Sequence, residues 1–260
     1  MKRGIVPALL RRGGLLLLAA LFGLGQAGVA AAQGGDQIQH YIDVFSGKPR
    51  IQQRQACESL QWAGLSDPRV FDLVEKNLLA SYKQINDRQD SDYVAWLSRA
   101  LAFSGQEKYR ATLTEVAEHG GHRNVRGHAG KALKELDEYK RWSPVLASRA
   151  GYVAGKSDEV NRLGAMLRSG EKGLQQAAAS RIHFGQLYDG WLLGTLDQAV
   201  KPTLSTDWKE KEDINAVAWM LRALAGPGKP EYRATLEQAA NGAANSKVRK
   251  YAAGYLKKYY

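Results

Sequence analysis

Ala95-Trp96-Leu97-Ser98-Arg99-Ala100-Leu101-Ala102 returns later in the chain as Ala218-Trp219-Met220-Leu221-Arg222-Ala223-Leu224-Ala225. Tyr109-Arg110-Ala111-Thr112-Leu113 returns as Tyr232-Arg233-Ala234-Thr235-Leu236. Both recurrences lie 123 positions on, and 12 of the 19 residues in Ala95–Leu113 are identical in the second copy. The same offset pairs Ser46-Gly47 with Ser169-Gly170, Gln52-Gln53 with Gln175-Gln176 and Val125-Arg126 with Val248-Arg249. One offset kept through apolar runs and turn-like stretches alike marks a tandem duplication of units of about 100 residues. The copies are placed at 37–139 and 158–260, with 140–157 connecting them.

Each copy reads as a string of helices. Val94, Leu97 and Leu101 form one apolar stripe and Trp96, Ala100 and Phe103 another, both at helical spacing. A helix apolar over so wide an arc lies between neighbours. Gly105 and Pro227-Gly228 interrupt the pattern, and Tyr109, Leu113 and Val116 begin a second stripe, the signature of an antiparallel hairpin. Alternating runs rich in Val, Ile and Thr are nearly absent, so the fold class is all-α. Helices are expected at 37–46, 51–64, 68–81, 92–104, 106–118 and 123–139, then at 158–169, 172–184, 188–200, 211–225, 229–241 and 246–258. A further short helix is expected around Val145–Val153. Stacked hairpins bury each other's stripes, with Trp96 and Trp219 as core anchors whose truncation costs about 3–5 kcal/mol each.

Val125-Arg126-Gly127-His128-Ala129-Gly130-Lys131-Ala132-Leu133 and Val248-Arg249-Lys250-Tyr251-Ala252-Ala253-Gly254-Tyr255-Leu256 resemble the first helix of a HEAT repeat, with Val-Arg, then Ala, then Leu. Leu65-Ser66-Asp67-Pro68-Arg69-Val70 resembles the turn into the second helix of such a repeat. The resemblance covers nearly all of Ile51–Tyr260, departing over 140–170. It implies a curved armadillo-type α-solenoid of antiparallel hairpins, a scaffold whose concave face holds a partner. The Trp-x-x-Leu-Gly signature of tetratricopeptide repeats does not occur.

The start of the chain reads as an export signal. Lys2, Arg3, Arg11 and Arg12 form a basic leader, Leu15–Leu24 is a short apolar run, and Ala30-Ala31-Ala32 supplies small residues before Gln33. The run is about half the length of a spanning helix, so cleavage after residues 1–32 and a periplasmic or secreted product are expected. Removing the leader leaves 33 basic against 26 acidic side chains, a net +7 compared with +11 for the whole chain. That surplus favours an acidic partner or an anionic surface, including peripheral membrane contact, rather than nucleic acid. Cys57 is the single cysteine, so no internal disulfide or cysteine-rich zinc site can form.

Candidate chemistry is sparse. His119, His122 and His128 lie within ten residues, and imidazole nitrogens suit divalent transition metals. Their counterparts are Gly242, Asn245 and Tyr251, so the repeat does not need them. The His-Glu dipeptides that supply iron ligands in HEAT-like hydroxylases do not occur, and nothing resembles the chromophore site of HEAT-like phycobilin lyases. Cys57 lacks an activating neighbour. Asp87–Asp92 lacks the glycine and closing glutamate of a calcium loop, and Ser91 or Asp92 is expected to cap a helix. Gly226–Lys229 follows no strand and reads as a turn, not a phosphate loop. Arg110 and Arg233, repeated in both copies, are the expected partner-binding pair, since a guanidinium fork suits carboxylates. Arg99 and Arg222 are repeated too, and are expected to pack their stems and pair with a carboxylate or a helix end. The expectation is therefore an exported, non-enzymatic scaffold without catalytic residues or cofactor that binds another, acidic envelope protein. The rivals are an enzyme or accessory subunit acting on cell-wall or glycan substrates, and a binder of acidic polymer or lipid headgroups.

Overall fold

Residues 35–260 of the computed structural model are described, and among them helices and 3-10 turns are the regular structure, with no strand. The expected export signal, 1–32, lies outside the described residues. The helices are α1 (35–47), α2 (Arg50–Leu60), α3 (Pro68–Ser81), α4 (Arg88–Phe103), α5 (Arg110–His119), α6 (Arg123–Ala147), α7 (Asp158–Arg168), α8 (Lys172–Phe184), α9 (Gly190–Val200), α10 (Lys211–Ala225), α11 (Arg233–Gly242) and α12 (Ser246–Tyr259). Shifted by 123 positions, α7 to α12 fall on α1 to the start of α6. The 3-10 turn Pro230–Tyr232 falls on Glu107–Tyr109.

The chain divides into two compact units. The first holds the described residues up to Leu60 together with Ser66–Leu136; the second holds Gln61–Leu65 and Asp137–Tyr260. In the first, α4 packs on α2 and α3, and α3 also meets α5. In the second, α10 packs on α8, α9 and α12, while α11 pairs with α12 and α7 with α8. Each unit is thus a stack of antiparallel helical hairpins, the arrangement of an α-solenoid.

The repeated residues build equivalent cores. Leu97, Leu101, Leu113 and Val125 are fully buried in the first unit, and Met220, Leu224, Leu236 and Val248 are buried in the second. Each fully buried aliphatic side chain stabilises its unit by about 1.5–3 kcal/mol relative to exposure. Tyr109 and Tyr232 are buried as well. The arginines of the Val-Arg pairs hold helix ends. Arg126 Nη1 donates to the Gly120 carbonyl at 2.7 Å, and Arg249 Nη1 to the carbonyls of Ala243 and Ala244 at 2.5 and 2.9 Å. Each guanidinium satisfies carbonyls left over at the end of the preceding helix.

Several expectations need correction. Trp96 and Trp219 are half-buried and do not anchor the core. At their place in the stripe an arginine covers the ring, and the next residue, Leu97 in the first unit and Met220 in the second, fills the interior of its own unit. α4 starts at Arg88 rather than at 92, because Asp87 is its cap and accepts the Asp90 N–H at 2.7 Å. α6 continues to Ala147 with Pro144 inside it, and 148–157 forms turns where a separate helix around Val145–Val153 was expected. α2 ends at Leu60, followed by a turn in which Gly64 has φ +66°. A Cβ there would strike the Leu146 carbonyl, so this close approach requires glycine.

Candidate functional site

Trp96 and Trp219 project from matching places on α4 and α10, each three residues before an arginine on the same helix face. Arg99 Cζ lies 4.7 Å from the Trp96 ring centroid and 5.5 Å from that of Phe103, and Arg54 Cζ also approaches the indole, at 5.5 Å. Arg222 Cζ lies 4.8 Å from the Trp219 centroid and 5.9 Å from that of Phe184. A guanidinium over an aromatic face is held by the ring quadrupole, while its N–H fork, lying in its own plane, stays free to donate. Both units therefore carry the same half-buried platform.

The platforms differ in charge balance. In the first unit Arg99 Nε donates to Glu135 Oε2 at 3.3 Å, and Arg54 pairs with Asp92 at 2.5 Å and Glu58 at 3.0 Å. The counterpart of Glu135 is Lys258 and that of Arg54 is Ala177. Arg222 has no carboxylate partner among the described residues. Its surroundings are aromatic: Phe184 and Trp219 lie 5.5 Å apart, His183 and Trp219 6.3 Å, and Tyr251 stacks on Tyr255 at 6.4 Å. Phe184 is 69% exposed and Tyr251 41%, unusual openness for such residues. Burial pushes the His183 imidazole below its usual value, and the neighbouring Arg222 and Lys258 charges push it further. Burial also raises the Tyr255 phenol, with Arg222 opposing that shift. His183 Nδ1 is buried without a hydrogen-bond partner.

Arg110 and Arg233 stand at the first position of α5 and α11. Arg110 pairs with Glu107, and Arg233 Nε donates to Glu237 Oε1 at 2.8 Å. The duplication keeps the cation but not its partner, and a bound carboxylate would compete with a glutamate at each. The three histidines are not brought into a ligand set: among the described residues no group of three or more His, Cys, Asp or Glu could hold a metal ion. His119 Nε2 lies 3.8 Å from Glu115, and His122 Nδ1 accepts the Asn124 N–H at 3.2 Å. That bond repeats the capping of α12 by Asn245, which accepts the Lys247 N–H at 2.9 Å. His122 is a helix cap.

Two grooves in the second unit escaped the sequence reading. One, of about 710 Å³, is lined by Trp142, Lys172 and Ser180 together with the carboxylates of Glu138, Glu171, Glu212 and Asp213. The other, of about 550 Å³, shares Lys172 and adds Trp208. Lys172 Nζ sits 5.0 Å from the Trp208 centroid and donates to Gln175 Oε1 at 3.0 Å; burial lowers its ammonium below the usual lysine value. Only the folded chain brings Trp142, Lys172 and Asp213 together, so spacing along the sequence gives no sign of it.

No protein-family model matches the chain, and no curated protein does. A solved structure does. It is that of human deoxyhypusine hydroxylase in complex with glycerol, 16% identical, with a TM-score of 0.32, covering 85% of this chain and 84% of that one. The expectation of a non-enzymatic chain is corrected on this point, because the similar structure is an enzyme's. At that identity and TM-score the likeness assigns no activity to this chain. Among the described residues no helix is long and apolar enough to cross a membrane.

Proposed function

We propose that this chain is an exported helical-repeat scaffold that binds another protein of the cell envelope through its tryptophan–arginine platforms. The observation that carries the reading is the repetition, in both units, of a half-buried indole with a guanidinium stacked on it. Tryptophan and arginine dominate binding energy at protein interfaces, and a tandem pair reinforces two weak contacts through effective concentration. The basic surplus supports an acidic partner. Affinity capture from envelope extract with the full chain and with Trp96→Ala/Trp219→Ala, compared by mass spectrometry, tests it. A partner retained by the first and lost by the second is the expected result. Equal recovery of the same proteins by both would end the reading.

The larger groove of the second unit favours a second reading, binding or processing of cell-wall glycan. Its carboxylates beside the Trp142 ring offer acceptors for sugar hydroxyls and an apolar face for a pyranose. Titration calorimetry with purified cell-wall fragments, against Glu212→Gln/Asp213→Asn, tests that reading.

A further inference from the structure

The duplication supplies an internal control for the two platforms. In the first unit the Arg99 fork is already occupied, since Glu135 on α6 reaches it across the helix pair at 3.3 Å. Shifted by 123 positions, the same place on α12 is Lys258, so a carboxylate has been exchanged for an ammonium. Two cations, Arg222 and Lys258, then press on His183, and both disfavour its protonation. Arg222 keeps its two aromatic contacts and, among the described residues, has no anion to pair with. Charged groups held near one another without counter-charge are unfavourable unless a ligand supplies it. Around these cations stand Phe184, Trp219, Tyr251 and Tyr255, of which Phe184 and Tyr251 face solvent.

We infer that the second-unit platform is an open carboxylate-binding site for an acidic peptide segment whose apolar side chains flank its Asp or Glu. The partner's carboxylate takes the in-plane fork of Arg222, with Lys258 beside it, and its apolar neighbours cover Phe184 and Trp219. The first-unit platform keeps the tryptophan–arginine pair, but its own Glu135 closes it, and Gln61 and His128 stand where Phe184 and Tyr251 do in the second unit. The mixture of ring faces and cations selects a peptide over a bare phosphate, which would leave Phe184 and Tyr251 in water. This inference rests on the proposed binding role and assigns its chemistry.

The test exchanges the two charges. A short capped peptide alternating Asp with Leu and Phe is titrated into the full chain, with the Asn-for-Asp peptide as its control. One binding site is expected, and roughly tenfold or weaker affinity for the control. Lys258→Glu rebuilds the first-unit ion pair in the second unit and should weaken the Asp peptide at least about tenfold. Glu135→Lys frees the Arg99 fork and should add a second, weaker site, since Gln61 and His128 replace the rings of Phe184 and Tyr251 there. Arg222→Lys keeps the charge without the fork and should fall between wild type and Lys258→Glu. Helical circular dichroism must be unchanged in each variant; Arg222→Lys and Lys258→Glu serve as independent checks should either fail to fold. Equal affinity for the Asp and Asn peptides, or no effect of either charge exchange in folded protein, overturns the inference. So does binding of inorganic phosphate or phosphatidylglycerol vesicles at this site in preference to the peptide. Should the Asp peptide fail while envelope capture still depends on Trp96 and Trp219, the peptide chemistry is wrong and the scaffold reading survives. Capture that ignores both tryptophans removes the scaffold reading itself.

Discussion

His183 ties the chemistry of one residue to the stability of its unit. In the folded chain its imidazole is held below the ordinary value of 6.5 by burial, by Arg222 on α10 and by Lys258 on α12. In the unfolded chain it titrates at the ordinary value, so between the two values the unfolded state binds more protons. Stability is therefore complete above about pH 6.5 and is lost as pH falls towards the folded value. Urea midpoints of wild type and His183→Gln should converge at the acid end and separate above it, with the variant flatter as pH falls below about 6.5. Parallel curves would show that His183 is not the group responsible. Trp96 and Trp219 show why a residue's role resists reading from spacing. They share the apolar arc with core positions, yet Arg99 and Arg222, one turn on, cover their rings and leave them half-buried. Truncating either should cost less than the roughly 3–5 kcal/mol of a fully buried tryptophan. A loss of about 1–2 kcal/mol by chemical denaturation is expected, and one above about 3 kcal/mol would return the residue to the core.

At the scale of the helix, turns and caps explain what was legible. α3, α8 and α10 occupy the expected residues, and α3 starts where Asp67 accepts the Arg69 N–H with Pro68 at the first helical position. α4 does not, because Asp87 caps it from farther upstream than Ser91 or Asp92. A cap is decided by which side-chain oxygen reaches a free N–H, and several neighbouring acids satisfy the pattern equally well. The connection from α5 to α6 is tied down by the Gly121 N–H, which donates to the Tyr82 carbonyl at 2.8 Å. The second unit repeats the device with the Ala244 N–H and the Leu204 carbonyl at 2.8 Å. A Cβ on Gly121 would strike the backbone of Lys83, whereas Ala244 carries one already. Gly121→Ala should therefore destabilise by about 1–3 kcal/mol, while Ala244→Gly should cost less than about 1 kcal/mol. Denaturation midpoints that reversed this order would mean that the two turns are not equivalent. The grooves around Lys172 belong to the same lesson in reverse, since Trp142 and Trp208 have no tryptophan counterparts in the first copy and no periodic signal marks them.

At the scale of the whole molecule, the duplication makes two cores whose integrity can be read separately. Cys57 is the chain's only thiol and is completely buried in the first unit. Burial pushes that thiol far above its usual range, with the nearby Arg54 opposing the shift only in part. A reagent that attacks the thiolate therefore meets neither an exposed nor an ionised sulfur until the first unit opens. When reclosing outpaces labelling, the labelling rate follows the population of the open state. Tyr109 is fully buried in that same unit, and its hydroxyl donates to Asp72 Oδ1 at 2.8 Å; Tyr232 is its equivalent in the other unit. Tyr109→Ala removes a buried ring and a hydrogen bond, about 3–5 kcal/mol, and should speed Cys57 labelling by roughly a hundredfold or more. Tyr232→Ala damages the other core and should leave Cys57 labelling within about tenfold of wild type, even as the melting curve of the whole chain broadens. Equal acceleration by both substitutions would mean that the two units open as one cooperative body, with the duplication visible in sequence and helix order but not in stability.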